Sequence, residues 1–210
     1  MIKAILLAAG QSKRIKNENK LLKIYKKKPL INHIINSLIK SKVNKIIIVV
    51  GYESDKLKNV IQKNKKIKFI KNANYKKGIS FSIKVGIKKI SSKDKGFIIV
   101  QSDMPFVKSS IINKIYNSIL DKRYLVHVLK YKKIIGNPIG FDISVFNKFR
   151  KIKGDVGAKY MVKRLKDSTN YIEVSSKNIF KEAAKFLYNK KIICWSSCLF
   201  CNVLRKWLHD

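Results

Sequence analysis

The stretch I-K-A-I-L-L-A-A-G-Q-S-K-R, residues 2–14, decides how this chain folds. Its first half is a short apolar run, which is typical of a strand buried inside a parallel sheet. Small residues follow at positions 8–10, and two cations, Arg14 and Lys20, lie shortly after them. Small residues let backbone amides approach an anion closely, and the cations can neutralise it. The stretch therefore predicts a strand that runs into a phosphate-binding turn.

A second apolar run, which ends at Val100, leads into Q-S-D-M-P, residues 101–105. This order places Asp103 at the carboxyl end of a predicted strand. Open parallel sheets bind their ligands at that edge, and carboxylates there can hold a divalent metal. A phosphate-binding turn together with a strand-end aspartate predicts a metal-assisted enzyme that acts on nucleotides.

Apolar runs and helical patterns alternate along most of the chain. The predicted strands are Lys3–Ala8, Lys45–Val50, Ile67–Lys71, Phe97–Val100 and Tyr124–Lys130. The predicted helices are Pro29–Ser41, Ser54–Asn64, Ser80–Ile90, Ser109–Leu120, Gly157–Leu165 and Ile179–Tyr188. Residues 134–142 are interpreted as a loop and a strand that need not be parallel to the others. The alternation predicts an α/β fold over residues 1–190, one domain with a mostly parallel, Rossmann-like sheet and helices on both faces.

Composition indicates a globular chain with an unusual charge. The chain has 210 residues, of which 46% are hydrophobic, and this is enough for one substantial core. Its net charge of +36 would suit a polyanion, but the lysines occur in every predicted element and mark no single face. We therefore expect no nucleic-acid partner. Because no apolar run reaches the length of a membrane span and no secretion leader is evident, we expect a cytoplasmic protein with no membrane contact.

Neither the cysteines nor the histidines predict a catalytic centre. Cys194, Cys198 and Cys201 lie in an atypical tail, residues 191–210, among tryptophan and other apolar residues. The tail is interpreted as an apolar terminal segment, and the alternative is a metal site with His209 as the fourth ligand. His33 falls on the apolar stripe of a predicted helix and His127 falls inside a predicted strand, so both are interpreted as structural.

The first turn contains neither the G-x4-G-K-[ST] pattern of a Walker loop nor the G-x-G-x-x-G pattern of a dinucleotide fold. It resembles instead the signature of the molybdenum cofactor cytidylyltransferases and their MobA-like NTP transferase relatives. The motifs that carry this resemblance, in order, are L-L-A-A-G-Q-S-K-R (6–14), N-K-L-L (19–22), N-Y-K-K-G-I-S-F-S (74–82), S-D-M-P (102–105), G-N-P (136–138) and G-D-V-G-A (154–158). Together they cover about residues 1–175.

The resemblance implies a fold like that of the nucleotide-diphospho-sugar transferases. It also implies transfer of a nucleotidyl group from CTP, or another NTP, to the phosphate of molybdopterin, with release of pyrophosphate. The implied nucleotide-binding residues are Leu7, Ala8, Ala9, Gly10, Ser12, Arg14, Lys20, Gly78, Ser80 and Ser82. The implied acceptor-binding residues are Asn137, Pro138, Asp155 and Gly157. Arg14, Lys20 and Asp103 are the implied catalytic residues, and Asp103 is the implied ligand of Mg²⁺.

Two departures from the family pattern qualify these expectations. Guanylyl members tend to carry A-G-G in the first loop, so A-A-G at positions 8–10 resembles the cytidylyl version, but Ile15-Lys16 stands where a glycine is usual. The family also commonly carries an aspartate-rich segment after its last strand, where this chain reads K-E-A-A-K from Lys181. Asp103 is thus left without an obvious second carboxylate, and Asp155 or Glu173 are the candidate substitutes.

Two other functions remain open at this stage. The chemistry could be the same with a sugar phosphate or polyol phosphate as the acceptor. Alternatively, the protein could be a non-catalytic accessory that binds the molybdenum cofactor and delivers it to a molybdenum hydroxylase. The G-N-P and G-D-V-G-A motifs favour the molybdopterin acceptor, whereas the missing aspartates favour the accessory.

Overall fold

A computed structural model of the protein describes residues 1–11, 19–152 and 154–181. The strands in this part of the chain are β1 (Ile2–Ala8), β2 (Ile24–Tyr25), β3 (Lys28–Pro29), β4 (Lys45–Val50), β5 (Ile67–Lys71), β6 (Gly96–Gln101), β7 (Val126–Tyr131), β8 (Ile134–Asp142) and β9 (Thr169–Glu173). The α-helices are α1 (Leu30–Ile39), α2 (Ser54–Val60), α3 (Ile79–Ile87), α4 (Ser109–Leu120), α5 (Phe146–Arg150) and α6 (Lys159–Arg164).

Seven of the strands form one sheet in the order β5-β4-β1-β6-β8-β7-β9, and β2 and β3 form a small separate hairpin. In the large sheet β8 runs antiparallel to β6 and β7, while the other pairs are parallel. From β1 the chain first moves outward to β4 and β5 and then returns to β6 on the other side of β1. The strand order therefore reverses between β1 and β6, which is where sheets of this kind bind ligands.

Helices cover both faces of the sheet because its central strands are apolar on both sides. On one face, α1, α2 and α4 pack against Ala4, Leu6, Ile48 and other side chains of the sheet. On the other face, α3, α5 and α6 pack against the alternate side chains, such as Ile5 and Val49. Successive residues of a strand point to opposite faces, so a continuous apolar run supplies both cores. The predicted α/β fold with a mostly parallel sheet is confirmed.

Several predicted boundaries were wrong. Helix α2 ends at Val60 instead of Asn64, because Ile61 adopts an extended conformation and is buried in the same core as Leu57. Residues 134–142, predicted as a loop and a strand, form one continuous antiparallel strand, β8. Helix α5 and strand β9 were not predicted.

The predicted helix Ile179–Tyr188 does not begin at Ile179. Residues Lys177–Phe180 form a 3₁₀ turn, and Lys181 after it is extended. The rest of that prediction, the domain boundary at residue 190, the three cysteines and His209 lie outside the described residues. None of the helices in the described ranges is long and apolar enough to cross a membrane.

His127 gives the fold a specific dependence on pH. Its ring is fully buried in β7 and shares a 2.7 Å hydrogen bond between Nδ1 and Ser118 Oγ. Burial lowers the pKa of His127 to about 4, although the Tyr124 backbone and the charges of Asp142 and Asp121 partly oppose this shift. Between its ordinary pKa and pH 4, the unfolded chain binds a proton at His127 that the folded protein does not bind. The contribution of neutral His127 to the free energy of unfolding is therefore fully present above the ordinary pKa. It is lost as the pH falls towards 4.

We expect His127 to reduce the free energy of unfolding by about 3 kcal/mol between pH 7 and pH 4. Denaturant unfolding at a series of pH values measures the effect, with His127→Gln as the comparison because glutamine does not titrate. The wild-type protein should lose more stability over this range than the variant. Equal losses in the two proteins would contradict the prediction.

Candidate active site

The turn after β1 and the segment after β6 lie side by side at the point where the strand order reverses. The parallel register pairs Leu7 with Gln101, so both strands end at the same level. The Ser102 hydroxyl then donates a 2.7 Å hydrogen bond to the Leu7 carbonyl oxygen. Two motifs that are more than ninety residues apart in the sequence thus form one edge of the sheet.

The A-A-G turn is hydrogen-bonded to the residues that follow β4. Ala8 and Ala9 are buried and Gly10 is exposed. The Ala9 carbonyl accepts a 3.2 Å hydrogen bond from the Tyr52 amide. Ser12 and Arg14, which the sequence assigned to the same phosphate site, lie outside the described residues.

Gly51 permits this close approach because it has no side chain. A Cβ atom at Gly51 would lie 2.8 Å from both the Ala9 carbonyl oxygen and the Tyr75 Cβ. Real Cβ atoms do not tolerate such contacts, so a larger residue would force the A-A-G turn and Tyr75 apart.

Gly51→Ala is therefore expected to lower the free energy of unfolding by about 1–3 kcal/mol. Gly10→Ala is a matched control from the adjacent turn, because a Cβ atom there would meet nothing within 4 Å. Denaturant midpoints of the two variants measure the difference. A Gly51→Ala protein as stable as Gly10→Ala would contradict the packing argument.

Lys20 and Asp103 form an ion pair at this edge. Lys20 Nζ lies 2.5 Å from Asp103 Oδ2, and the side chains are 22% and 10% exposed, respectively. The backbone next to Lys20 is fixed by buried Asn19, whose Oδ1 accepts a hydrogen bond from the Leu21 amide. The sequence predicted both residues as catalytic, and the structure brings their charged groups into contact.

Asp103 is a suitable ligand for a divalent metal. In the described part of the chain, no three His, Cys, Asp or Glu side chains form a cluster. Glu173 lies three strands away from β6, about 14 Å at the usual strand spacing, and its carboxylate pairs with Lys130. Magnesium is commonly bound by one or two carboxylates together with substrate phosphates. A single buried carboxylate at a strand end fits that pattern.

The predicted nucleotide residues at the start of α3 are anchored within the protein. Gly78 has a φ of 107°, a conformation that favours glycine, and the helix begins directly after it. The Ser82 hydroxyl accepts a 3.0 Å hydrogen bond from Asn72 Nδ2. Both Ser80 and Ser82 are buried, so the polar side of α3 faces the protein.

The G-D-V-G-A motif reaches this same helix start. The Ser80 hydroxyl donates a 2.5 Å hydrogen bond to the Gly154 carbonyl, and Asp155 Oδ1 accepts one of 3.2 Å from the Ile79 amide. A Cβ atom at Gly157 would lie 3.9 Å from the Ile79 side chain. The loop that contains the predicted acceptor residues Asp155 and Gly157 is therefore in contact with the helix start that contains the predicted nucleotide residues Gly78 and Ser80.

Asn137 and Pro138 lie in an irregularity of β8. Val128 of β7 pairs with Ile139, but its neighbour Leu129 pairs with Gly136, so residues 137–138 bulge from the ladder. Ile139 pairs with Ile99 of β6, and the two strands are antiparallel. Residues 137–138 therefore lie beside the carboxyl end of β6. Asn137 Oδ1 is buried, and within the described ranges no donor reaches it. Buried acceptors normally have a partner, so this atom is suited to contact a ligand.

Sequence reasoning missed three residues that shape the site: Gly51, Asn72 and Ser102. Each follows the last residue of a strand at the carboxyl edge of the sheet. That position was the available signal, since it is the same one that singled out Asp103. Their roles depend on contacts with residues distant in the sequence, which spacing alone does not reveal.

Solved structures with this fold include several transferases. Rv0371c from Mycobacterium tuberculosis superposes with a TM-score of 0.74 at 18% identity, over 83% of this chain and 88% of that one. A second structure of that protein is a complex with manganese. A nucleotidyl transferase from Methanothermobacter thermautotroptrophicus gives 0.74 at 15% identity, over 94% and 99% of the two chains. The 4-diphosphocytidyl-2C-methyl-D-erythritol synthase from Anaerococcus prevotii gives 0.70 at 13% identity, over 91% and 95%.

Sequence similarity extends to bifunctional GlmU proteins. GlmU from Clostridioides difficile is 28% identical over 157 residues, which are 73% of this chain and 32% of the relative. This chain thus spans about a third of the length of that protein.

A family profile identifies most of the chain. The profile of the MobA-like NTP transferase domain matches residues 4–169, which include β1, the A-A-G turn, Asp103 and the G-D-V-G-A motif. The match agrees with the arrangement of the sheet and with the site at its carboxyl edge. The chain belongs to the MobA-like NTP transferase domain family.

Proposed function

We propose that this protein is a nucleotidyltransferase that transfers CMP from CTP to the phosphate of molybdopterin and releases pyrophosphate. The observation that carries the proposal is the Lys20–Asp103 ion pair beside the A-A-G turn, at the point where the strand order reverses. A cation, a carboxylate and a turn of small residues at one edge are the groups that nucleotidyl transfer needs. The resemblance of the G-N-P and G-D-V-G-A motifs to those of the molybdopterin branch of the family supports molybdopterin as the acceptor.

Each group has a physical role in this reaction. Backbone amides of residues 9–12, together with Arg14, would hold the β- and γ-phosphates of the nucleotide. The Lys20 ammonium group stabilises the negative charge that develops on the α-phosphate and the leaving pyrophosphate. Because the Lys20 side chain is only 22% exposed and pairs with Asp103 at the carboxyl edge of the sheet, water screens its charge weakly.

Asp103 is the residue that would hold Mg²⁺. When bound, the metal neutralises phosphate charge and keeps the reacting groups aligned. The manganese complex of Rv0371c supports a divalent metal in this fold. Leu7 and Ser102 hold the two strand ends together, and this contact keeps Asp103 at a constant distance from the turn.

The acceptor side of the proposed site consists of Asn137, Pro138 and the loop that contains Asp155 and Gly157. Asn137 Oδ1 needs a hydrogen-bond donor, and a pterin ring offers several N–H groups. The product would be taken up by a molybdenum hydroxylase, and we place this partner and the reaction in the cytoplasm.

A polyol phosphate is the second candidate acceptor. The Anaerococcus prevotii neighbour is a synthase of a diphosphocytidyl polyol, and its structure covers 91% of this chain. The two candidates share CTP and differ only in the molecule that receives CMP. A direct comparison of acceptors separates them.

Ala9→Gly tests the base choice directly. Guanylyl members of the family tend to carry glycine at this position, so the ratio of kcat/KM for CTP to that for GTP should fall by about tenfold or more in this variant. Steady-state pyrophosphate release with each nucleotide measures the ratio, and Ala8→Gly, in the same turn, is the control. An unchanged ratio would remove Ala9 as the determinant of the base.

A further inference from the structure

Two loops that are distant in the sequence meet through a pair of glycines. Gly78 and Gly154 both have positive φ values, 107° and 65°. A Cβ atom at Gly78 would lie 2.7 Å from the Gly154 carbonyl oxygen, so the two backbones can approach only because Gly78 has no side chain. The loop at residues 154–157 is therefore seated directly on the start of α3.

Asp155 supplies the cap that α3 lacks locally. The residue before the helix is Gly78, which has no side chain to accept a hydrogen bond from the first amides. Asp155 Oδ1 accepts the Ile79 amide at 3.2 Å, and its negative charge also complements the positive end of the helix. The cap is provided by a residue 76 positions later in the chain.

Ser80 makes a second, independent connection between the same two segments. Its hydroxyl is fully buried and donates a 2.5 Å hydrogen bond to the Gly154 carbonyl. Further along the helix, Asn72 at the end of β5 bonds Ser82 at 3.0 Å. The amino end of α3 is thus held from two sides, and one of these sides is the loop at residues 154–157.

We propose that Asp155 is a positioning residue for the nucleotide side of the site and acts through the Ile79 amide. In this role it neither binds the metal nor contacts the acceptor directly. The Gly154–Asp155 loop and the Gly78–Ser80 segment move as one unit, so contact of the acceptor with residues 154–157 is coupled to binding of the nucleotide. This inference rests on the proposed function for its ligands, whereas the coupling of the two loops does not depend on it.

Asp155→Ala and Asp155→Asn test the role of Asp155. Asparagine keeps an oxygen that can accept the Ile79 amide, so it should rescue most of the loss caused by alanine. We expect Asp155→Ala to weaken CTP binding in the presence of Mg²⁺ by about tenfold, and Asp155→Asn by about twofold. Calorimetric titration with CTP measures both values.

Hydrogen exchange in the protein without ligands provides a readout independent of function. The Ile79 amide should exchange about tenfold faster in Asp155→Ala than in the wild-type protein and should remain protected in Asp155→Asn. Asp142→Ala is the matched control, because Asp142 accepts a 2.8 Å bond from the Ser144 amide at the opposite end of the sheet. It should leave both the CTP affinity and the Ile79 exchange unchanged.

The outcomes separate three roles for Asp155. A change only in the KM of the acceptor, with normal Ile79 exchange, would make Asp155 an acceptor contact and overturn the inference. An Asp155→Asn protein as impaired as Asp155→Ala, with reduced Mn²⁺ affinity, would make it a metal ligand and also overturn it. If the wild-type protein binds none of the four NTPs but Ile79 exchange still responds, the proposed function fails and the coupling of the loops stands.

Discussion

Asp103→Ala is expected to lower kcat for pyrophosphate release by about 10³-fold, the largest effect of any single substitution in this protein. Its carboxylate is the buried negative group beside the A-A-G turn, and it is the proposed ligand of the metal. In the proposed reaction, loss of this carboxylate removes both the metal ligand and the partner that positions Lys20. Asp103→Asn should lose a similar factor, because the amide keeps the shape of the side chain but not its charge. Steady-state kinetics at saturating CTP measure both variants.

A matched control is available at the opposite edge of the sheet. Asp94 is also buried and pairs with Lys3 Nζ at 2.7 Å. Asp94→Ala should therefore cost stability through the same loss of a buried partner but should leave kcat within about twofold of the wild-type value. If Asp94→Ala and Asp103→Ala lower kcat equally, the effect arises from folding, and the assignment of Asp103 to the reaction is wrong.

Lys20→Met is expected to have the second largest effect. Methionine keeps most of the length of the side chain but removes its charge, so kcat/KM for CTP should fall by about 10²-fold. The same variant should bind Mn²⁺ about tenfold more tightly in the absence of nucleotide, because Asp103 is no longer neutralised by an ammonium group 2.5 Å away. Electron paramagnetic resonance of free Mn²⁺ measures this affinity.

The opposite directions of these two effects make the experiment specific. A general loss of structure would weaken both nucleotide and metal binding. Lys20→Arg keeps the charge and serves as the control, so its Mn²⁺ affinity should stay near the wild-type value. Unchanged Mn²⁺ affinity in Lys20→Met would contradict competition between Lys20 and the metal for Asp103.

Most of the sheet could be predicted from the sequence because its strands are continuous apolar runs. In the run Ile46–Val50 every residue is isoleucine or valine, and the runs that became β1, β4 and β6 were recognised at nearly their observed bounds. Strand β9 was missed because T-N-Y-I-E has only one aliphatic residue, Ile172, and lies at the edge of the sheet. Its place depends on pairing with β7, which is a tertiary contact.

Helix α3 buries residues that its apolar pattern does not single out. Phe81 and Val85 are only partly buried, whereas Ser80, Ser82 and Gly86 lie on the buried side. Gly86 is required there because a Cβ atom would lie 2.4 Å from the Ile5 side chain of β1. The serines are buried because they bond to Gly154 and Asn72, and no local periodicity reports such partners.

The site was predictable as a set of residues but not as a set of contacts. Lys20 and Asp103 were each assigned from strand ends and motif order, yet their ion pair joins positions 83 residues apart. Asp155 was assigned to the acceptor side or to the metal, and the structure adds its bond to the Ile79 amide. Residue type and position predict which groups lie at the carboxyl edge, whereas the pairing among them requires the folded chain.

Pyrophosphate release with Mg²⁺, a molybdopterin acceptor and each of the four NTPs in turn is the most direct test of the proposed reaction. We expect release with CTP that depends on the molybdopterin acceptor and is not supported by a polyol phosphate or a sugar phosphate. Release with GTP instead would contradict the base assignment. Release only with a polyol or sugar phosphate would contradict the acceptor, and no release from folded protein that binds CTP would contradict the proposed transfer.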